Sequence, residues 1–451
     1  MDLQVIQKTK QLIDAIHCCN SCLGRQFGNL LSGLTNNERG RALKIALLME
    51  WENNHRLSKP DLVVPSSLTS KDFDPGSKSL LRYFPETELD GSTCAICQDV
   101  LSLVNQERLV QSVVPRLTEY EFRTFLVGCR FPPAILDNED EIRSTYGLEF
   151  GESIKSEFNR EIGKRIHSEI PQTEVDFKAP DLVILFDLVK DEVRLKSNPL
   201  FILGRYRKLI RGIPQSRWFC RQCRGKGCDN CNQTGKMYQD SVEEFISAPV
   251  LAAAQGVSSK FHGAGREDID ARMLGNGRPF ALEISEPKKR TLDFGDLRTI
   301  INQNAQGKVE VEFEGLTART KVRELKTQSS RNAKGYRAVV ELKLGGNIDE
   351  GILNSAADEL SGTVIQQRTP IRVSHRRADK IRPRKVITFQ IESIGSEDLT
   401  VHIVCQGGLY VKELISGDNG RTQPNFADLV GTAATVKYLD VVKVFPAESS
   451  L

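Results

Sequence analysis

The spacing of hydrophobic positions changes along the chain from a helical period to a strand-like one. Residues 1–60 place apolar residues at helical spacing, first in an amphipathic opening segment and then in NNERGRALKIALLMEWENNHRL, so they predict helices. The stretch 107–130 ends in the strand-like EFRTFLVGC, and residues 137–166 are acidic and helical. DLVILFDLVKDEVRL predicts two strands joined by a charged turn.

From about residue 245 onward, strand-like and helix-like segments alternate. SVEEFISAPVLAAAQ and IDEGILNSAADEL predict helices, and the strand-like segments are ALEISEP, GKVEVEFEGLT, YRAVVELKL, KVITFQIESIG and LTVHIVCQGGLYV. This succession predicts an α+β half with a mainly antiparallel sheet.

The global composition is that of an ordinary globular protein. Of 451 residues, 39% are hydrophobic and 27% are charged, and the formal net charge is only +3. We see no run of roughly 18 apolar residues that could span a bilayer, and the mixed N-terminus is unlike a signal peptide. We therefore expect a cytoplasmic protein with no membrane partner, and the net charge by itself gives no sign of a nucleic-acid partner.

The eleven cysteines are the unusual feature of the composition. A cytosolic chain with this many cysteines suggests metal sites more than disulfides. Most of them form Cys-x-x-Cys pairs, and two such pairs can complete a tetrahedral zinc site. The pairs predict two structural zinc sites, with the ligands Cys19, Cys22, Cys94 and Cys97 in one and Cys220, Cys223, Cys228 and Cys231 in the other.

Two basic segments are hidden by the near-neutral sum. Residues 203–226 carry eight Lys and Arg and no acid, and residues 364–385 carry eight Lys and Arg with Asp379 as the one acid. Such density attracts phosphates and favours a nucleic-acid partner, although one basic run alone is usually a solvated face. The candidate RNA contacts are Arg205, Arg207, Lys208 and Arg211 in the first segment, and Arg372, Arg376, Arg377 and Arg382 in the second.

Residues 261–284, FHGAGREDIDARMLGNGRPFALEI, contain the densest set of reactive groups. A glycine-rich loop carries the acids Glu267, Asp268 and Asp270 among arginines, and a strand follows it. An acid in this setting could be a nucleophile, a general base or a metal ligand, or the loop could be a salt-bridged turn.

The same segment resembles a known family. Gly265-Arg266-Glu267-Asp268 resembles the G-R-[TE]-D catalytic loop of pseudouridine synthases, and GREDIDARMLGNGRPFALEI is similar to the tRNA pseudouridine synthases that act on positions 54 and 55. FLVGCRFPP and GESIKSEFNREIGKRI resemble that family's RNA-binding THUMP region. Further similar segments are PLFILGRYRKLIRGIPQSRW, QRTPIRVSHRRADKIRPRKV and GGLYVKELISGDNGRTQPNF, and the cluster 220–231 resembles archaeal-type members.

The resemblance implies roles for individual residues. Asp268 matches the nucleophile, with attack on the uracil ring and attack on the ribose both open, and Lys412 matches a basic residue beside it. Tyr336 matches the tyrosine that stacks on the uracil, and Tyr410 is a second candidate for contact with the base. Leu414 is a further candidate substrate contact, expected to pack against the pocket. Because the target uridine is stacked in a folded arm, the enzyme should flip it outward. Arg266 is a candidate to fill the vacated space or to hold the phosphate of the flipped nucleotide.

These observations predict a tRNA pseudouridine synthase that acts in the T-arm and needs no redox, nucleotide or other catalytic cofactor. Residues 1–240 would form a zinc-binding, THUMP-like α/β RNA-binding region, with a basic connector at 203–236, and 241–451 a pseudouridine synthase domain. Two alternatives remain: a non-catalytic zinc protein that binds RNA, and a metal-dependent nuclease that uses Glu267, Asp268 and Asp270.

Overall fold

The chain folds into two compact units, which divide between Asn198 and Pro199. The computed structural model describes residues 4–57, 64–70, 73–85, 89, 91–328, 332–343, 349–395 and 398–445, without the side chain of residue 376. The division lies earlier than the expected boundary at 240/241. The physical reason is that residues 200–208 form a strand of the second unit's sheet, where they pair with strands at 271–285 and 309–317.

The first unit combines helices with a small sheet. Apolar positions at helical spacing bury Leu12 and Ile13 in the opening helix, and a reciprocal Thr35–Glu38 capping box starts the long third helix. Its helices are α1 (Gln4–Ala15), α2 (Asn20–Arg25), α3 (Asn36–Arg56), α4 (Ser66–Thr69), α5 (Asp74–Tyr83), α6 (Leu103–Leu117), α7 (Pro133–Tyr146) and α8 (Ile154–Glu169). Its strands are β1 (Thr124–Arg130), β2 (Glu174–Val175), β3 (Leu182–Asp187) and β4 (Glu192–Ser197), in the order β2-β1-β3-β4.

The second unit is built on one large sheet, with ten strands among the described residues. The strands are β5 (Leu200–Lys208), β6 (Ser258–Gly263), β7 (Ala271–Ser285), β8 (Val309–Thr317), β9 (Lys334–Leu342), β10 (Val364–Arg368), β11 (Ile381–Ile394), β12 (Asp398–Cys405), β13 (Thr422–Gln423) and β14 (Ala434–Val444). The helices are α9 (Val242–Ala254), α10 (Phe294–Asn304), α11 (Arg319–Gln328), α12 (Glu350–Leu360), α13 (Val411–Ser416) and α14 (Phe426–Val430).

The order of this sheet is β13-β10-β11-β12-β9-β14-β7-β5-β8, and β6 also pairs with β7. The neighbours are antiparallel except for β14 and β7, which run parallel through Leu439 and Ala271. Two large apolar clusters pack on the sheet, one around β9, β11 and β12 and the other around β5, β7 and α9, and a small one contains Phe201, Ala281 and Val322. The predicted α+β class with a mainly antiparallel sheet is confirmed.

Most predicted elements are present, with differences in extent. The strand predicted at ALEISEP is the end of the longer β7, and the helices predicted in 1–60 are α1 and α3 with the short α2 between them. LTVHIVC forms β12, but the following chain turns and enters α13 at Val411. Strand β5 lies in the segment expected to be a basic connector.

Among the described helices, none combines the length and the apolar character needed to cross a bilayer.

Candidate functional site

Asp268 lies in the loop that joins β6 to β7, at the wall of a cavity of about 340 Å³. The loop turns sharply because Gly265 adopts φ +85°, and the Ala271 N–H closes it on the Asp268 carbonyl at 3.1 Å. The Asp268 side chain keeps 30% of its surface exposed. The carboxylate is therefore held by the turn between β6 and β7 and is open to a ligand.

Two cations face this carboxylate. Arg372 donates from Nη1 to Asp268 at 3.0 Å, and Lys412 Nζ lies 3.8 Å from Asp268 Oδ2. Arg372 stands on the short 3₁₀ turn 371–376, and Glu413 fixes it by accepting from its Nε at 2.6 Å. Lys412, at the start of α13, donates to Asp270 at 2.6 Å. Positive charge from two distant segments thus lies beside Asp268, where it is shared with Glu413 and Asp270.

A buried network lies beneath the loop. Glu267 is 5% exposed and Arg278, on β7, is 1% exposed, and Arg278 Nε donates to Glu267 at 2.7 Å. The Tyr206 hydroxyl, on β5, donates to the same carboxylate and accepts from Gln215 at 2.7 Å. Buried charges are tolerated when they are paired and hydrogen-bonded in this way. Glu267 therefore anchors the loop, while its neighbour Asp268 points to the cavity.

The loop backbone is also held by side chains. Arg278 Nη1 donates to the Ala264 carbonyl and Gln215 donates to the Gly265 carbonyl, both at 2.9 Å. A Cβ on Gly265 would lie 3.1 Å from Arg278 Nη1, which explains why glycine stands here besides its positive φ.

Lys208 corrects one prediction. It was expected to contact RNA, but it is fully buried and its Nζ donates to the carbonyls of Ile213, Asp268 and Ile269 at 3.0, 3.0 and 3.1 Å. The reason is strand alternation, since positions 204, 206 and 208 of β5 face inward. Burial lowers the pKa of Lys208 to about 8. Lys208 therefore supports the loop that carries Asp268.

The two tyrosines predicted to contact the base, Tyr336 and Tyr410, both line the cavity. Tyr336 is on the central strand β9, and Tyr410 precedes α13, where the Arg372 guanidinium lies 5.7 Å from its ring centre. Burial raises the pKa of Tyr336, so its phenol stays protonated at neutral pH. Lys334, two residues before Tyr336, also lines the cavity, and burial lowers its pKa to about 8. The sequence interpretation missed Lys334, whose i, i+2 spacing from Tyr336 was the available signal.

The two remaining candidates for contact with the substrate, Arg266 and Leu414, lie in different surroundings. Arg266 lines the cavity and its guanidinium lies 5.0 Å from the ring centre of Trp218. Leu414 is fully buried in the apolar cluster of the sheet and is not a lining residue. Its expected contact with substrate is therefore corrected to a packing role, since α13 turns this side chain into the core.

The arginines of the two basic segments lie in different places. From the second one, Arg372, Arg377 and Arg382 line the cavity, as does Arg384, which the prediction omitted. The Arg376 side chain lies outside what the structure describes. In the first segment, Arg205 pairs with Glu314 at 3.1 Å and Arg207 with Glu310 at 2.6 Å, while Arg211 pairs with Asp440 at 2.5 Å.

The first cysteine set lies in the first unit and joins two distant pairs. Cys19 starts α2 and accepts from the Cys22 N–H at 3.4 Å, while the Cys19 N–H donates to Cys94 at 3.3 Å. The Cys19 and Cys97 sulfurs are 3.9 Å apart, and all four ligand atoms lie within 4.8 Å of one another. Tetrahedral Zn–S bonds of about 2.3 Å place sulfurs about 3.8 Å apart. The set fits a zinc ion.

The second set, in the second unit, fits equally well. The Cys220–Cys228, Cys223–Cys231 and Cys228–Cys231 sulfur distances are 3.9, 3.8 and 3.7 Å. Backbone N–H groups of Gly227 and Gly235 donate to the sulfurs of Cys223 and Cys231, both at 3.2 Å. Donors of this kind stabilise thiolate charge. Both predicted four-cysteine sets are thus assembled and can hold zinc.

Comparison with protein families gives two matches. A family model described as the C-terminal part of Pus10 matches residues 201–445, and one described as the archaeal Pus10 THUMP domain matches residues 109–187. The first covers the large sheet and the second covers part of the first unit.

Curated relatives are similar over nearly the whole chain. The tRNA pseudouridine synthase Pus10 of Methanopyrus kandleri is 40% identical, over 97% of this chain and 98% of the relative. Those of Methanothermobacter marburgensis and Methanocaldococcus jannaschii are 43% and 42% identical, each over 94% of this chain and over 94% and 91% of the relatives. A Cbf5-Nop10-Gar1 crystal structure is similar with a TM-score of 0.28 and 17% identity, over 44% of each chain.

Removing the buried cation beneath the loop should destabilise the second unit. Arg278→Met leaves Glu267 buried without its ion partner, so the free energy of unfolding in urea should fall by about 3–5 kcal/mol. The matched control is Arg298→Met, which breaks an exposed pair with Glu312 and should cost less than about 1 kcal/mol. Equal losses in both variants would contradict the anchoring role.

Breaking the second cysteine set should act on stability and metal content. Cys223→Ser should lower the bound zinc and the melting temperature, because metal binding contributes folding free energy. Elemental analysis and a thermal melt measure both. Cys405→Ser, at a buried core cysteine outside either set, controls for loss of a thiol and should retain its zinc. A Cys223→Ser protein that keeps its full zinc content and its melting temperature would refute the interpretation of this set as a structural zinc site.

Proposed function

The chain belongs to the Pus10 family of tRNA pseudouridine synthases, and we propose that it modifies uridines in the T-arm loop of tRNA, at positions 54 and 55, with Asp268 as the nucleophile. The isomerisation of uridine to pseudouridine in tRNA follows from the family. To this the proposal adds the position of the modified uridines in the tRNA and the roles of the individual residues. The single observation that carries it is the Asp268 carboxylate, open to a cavity and flanked by two cations.

The chemistry requires a nucleophile next to the target nucleotide. In either route Asp268 first forms a covalent bond, to the uracil ring or to the ribose anomeric carbon C1′, and the N1–C1′ bond breaks. The uracil then rotates and a C5–C1′ bond forms. The bond to Asp268 breaks, which restores the carboxylate, while C5 loses a proton and N1 gains one. Arg372 and Lys412, which also pair with Glu413 and Asp270, stabilise the ionised form of Asp268 before attack. The anchored loop fixes the carboxylate, so little reorganisation is needed.

The target uridine must leave the folded tRNA arm to reach Asp268. A flipped base is read by stacking and by hydrogen bonds in a closely fitting pocket. Tyr336 and Tyr410 supply the aromatic surfaces, and the protonated Tyr336 phenol can donate a hydrogen bond to the uracil. We assign Arg266 to the space that the uridine vacates.

The tRNA is bound by basic and THUMP surfaces in our proposal. Arg377, Arg382 and Arg384 border the cavity that contains Asp268, so phosphates that flank the target nucleotide would meet them first. The segment matched by the archaeal THUMP model lies in the first unit, and we assign this unit to tRNA binding. Zinc in the two cysteine sets would have a structural role, since each set already supplies four protein ligands.

The nuclease alternative has little support from the geometry. In the part of the chain that the structure describes, the groups of three or more potential ligands that could hold a metal are the two cysteine sets. Glu267 forms an ion pair with Arg278, and Asp270 forms one with Lys412. The three carboxylates therefore do not form a metal site, whereas a single nucleophile fits the arrangement.

Asp268→Asn and Asp268→Ala should abolish pseudouridine formation in an unmodified tRNA transcript. The amide keeps the shape of the side chain but not its nucleophilicity, and activity should fall at least a thousandfold, on the order of the loss of a catalytic nucleophile. Carbodiimide primer extension locates the product. The control Asp296→Asn changes an exposed carboxylate in the first turn of α10 and should retain full activity.

The same assay tests the position in the tRNA. Primer-extension stops at 54 and 55 in the wild type, and none with the Asp268 variants, are the expected result. Product elsewhere in the tRNA would refute the T-arm assignment, and product with Asp268→Ala would refute the nucleophile.

Charge reversal at the cavity mouth should weaken tRNA binding in a salt-dependent way. Arg377→Glu removes a phosphate contact, so the slope of log K against log salt should become shallower by about one. Filter binding across a salt series measures it. Lys321→Glu, on the exposed helix α11 and paired with Glu324, carries the same charge change and should leave the slope unaltered. Identical slopes for Arg377→Glu and the wild type would exclude the contact.

A further inference from the structure

A second cavity of about 350 Å³ adjoins the first at Asp268. The lining residues that the two have in common are Arg266, Glu267, Asp268, Arg372, Arg377, Tyr410 and Lys412. The second cavity differs in having Trp218 in its wall, together with the apolar side chains of Ile269 and Val373. The reaction proposed for Asp268 makes no use of Trp218 or of this space.

Trp218 is held in place by the hairpin that carries the second cysteine set. Its carbonyl accepts from the Met237 N–H at 2.9 Å, and its neighbour Phe219 forms an antiparallel bridge with Lys236. Tyr238 packs edge-on against the indole, with ring centres 5.7 Å apart. The cysteine cluster starts at Cys220, so the fold of the cluster fixes the direction of the tryptophan. The ring is half-buried and borders the cavity.

A contact between Arg266 and Trp218 joins the indole to the loop that carries Asp268. The Arg266 guanidinium lies 5.0 Å from the Trp218 ring centre, which is within the range of a cation–π interaction. Arg266 is two residues before Asp268, and both Trp218 and Arg266 line the second cavity with Asp268, so the pair lies close to the reacting group. Single-stranded RNA bases commonly stack on aromatic rings and on arginine planes.

We propose that the second cavity binds a nucleobase adjacent to the target uridine in the RNA strand, stacked on the Trp218–Arg266 pair. The inference rests on the function proposed above. Because both cavities border Asp268, a base in the second belongs to a nucleotide next to the one in the first. Arg372, Arg377 and Lys412 line both cavities, and their charge suits the phosphate that links the two nucleotides.

The test combines a protein change with an RNA change. The RNAs are a T-arm stem-loop transcript and two versions that are abasic immediately 5′ or 3′ of the target. Trp218→Ala should weaken binding of the intact RNA about tenfold, as loss of one base–aromatic stack does. One of the two abasic RNAs should bind the wild type about tenfold more weakly, and Trp218→Ala should add no further loss with that RNA.

Controls separate stacking from damage to the fold. Phe219→Ala removes the adjacent exposed aromatic, which is not in the cavity wall, and its effect should multiply with the abasic penalty. Trp218→Phe should keep most of the affinity. If Trp218→Ala weakens the binding of both abasic RNAs as much as it weakens the binding of the intact RNA, the inference is overturned. If the wild type forms no pseudouridine in the intact RNA, the proposed function fails instead, because the binding cycle does not depend on turnover.

A fluorescence measurement keeps the inference falsifiable if Trp218→Ala does not fold. The chain has two tryptophans, and Trp51 is buried in the first unit, so Trp51→Phe leaves Trp218 as the emitter. The intact RNA should quench this emission, and the abasic RNA that binds weakly should not, even at saturation. Equal quenching by both RNAs would show that the adjacent base does not stack there.

Discussion

The buried ion pair between Glu267 and Arg278 is the interaction on which the site depends. Two charges removed from water are costly unless their geometry satisfies them, and here the Tyr206 hydroxyl and the loop carbonyl of Ala264 complete the hydrogen bonds. The pair thereby joins the loop to β5 and β7. Adjacent acids consequently have opposite roles, since Glu267 is committed to structure and Asp268 is left for a ligand.

The sequence was informative where the signal is local. Alternating strands of the large sheet, the Cys-x-x-Cys pairs and the loop Gly265–Asp268 are all short-range patterns, and each is present in the structure. The local pattern did not separate Glu267 from Asp268, because burial depends on strands that lie far away in the chain. It did not place Arg372 beside Asp268 either, across a separation of 104 residues.

Lys208 is another residue whose burial the local sequence pattern did not predict. A cluster of basic residues is a sound indication of a nucleic-acid surface when the segment is exposed. Here the segment begins as an inner strand, and the alternation of β5 sends Lys208 beneath the loop while Arg205 and Arg207 face outward to Glu314 and Glu310. The composition correctly indicates that this segment is positively charged. The pairing of β5 with β7 and β8 determines which of its basic side chains are buried and which are exposed.

The central claim is that the anchored loop presents Asp268 to a uridine that has left the T-arm stack. A crystal structure of the Asp268→Asn protein bound to unmodified tRNA tests it most directly. We expect a flipped uridine in the cavity, with its base or ribose in contact with residue 268, and the loop held by Arg278, Gln215 and Lys208 as in the free protein. A target uridine that remains stacked in the arm, or a different residue in contact with it, would contradict the account.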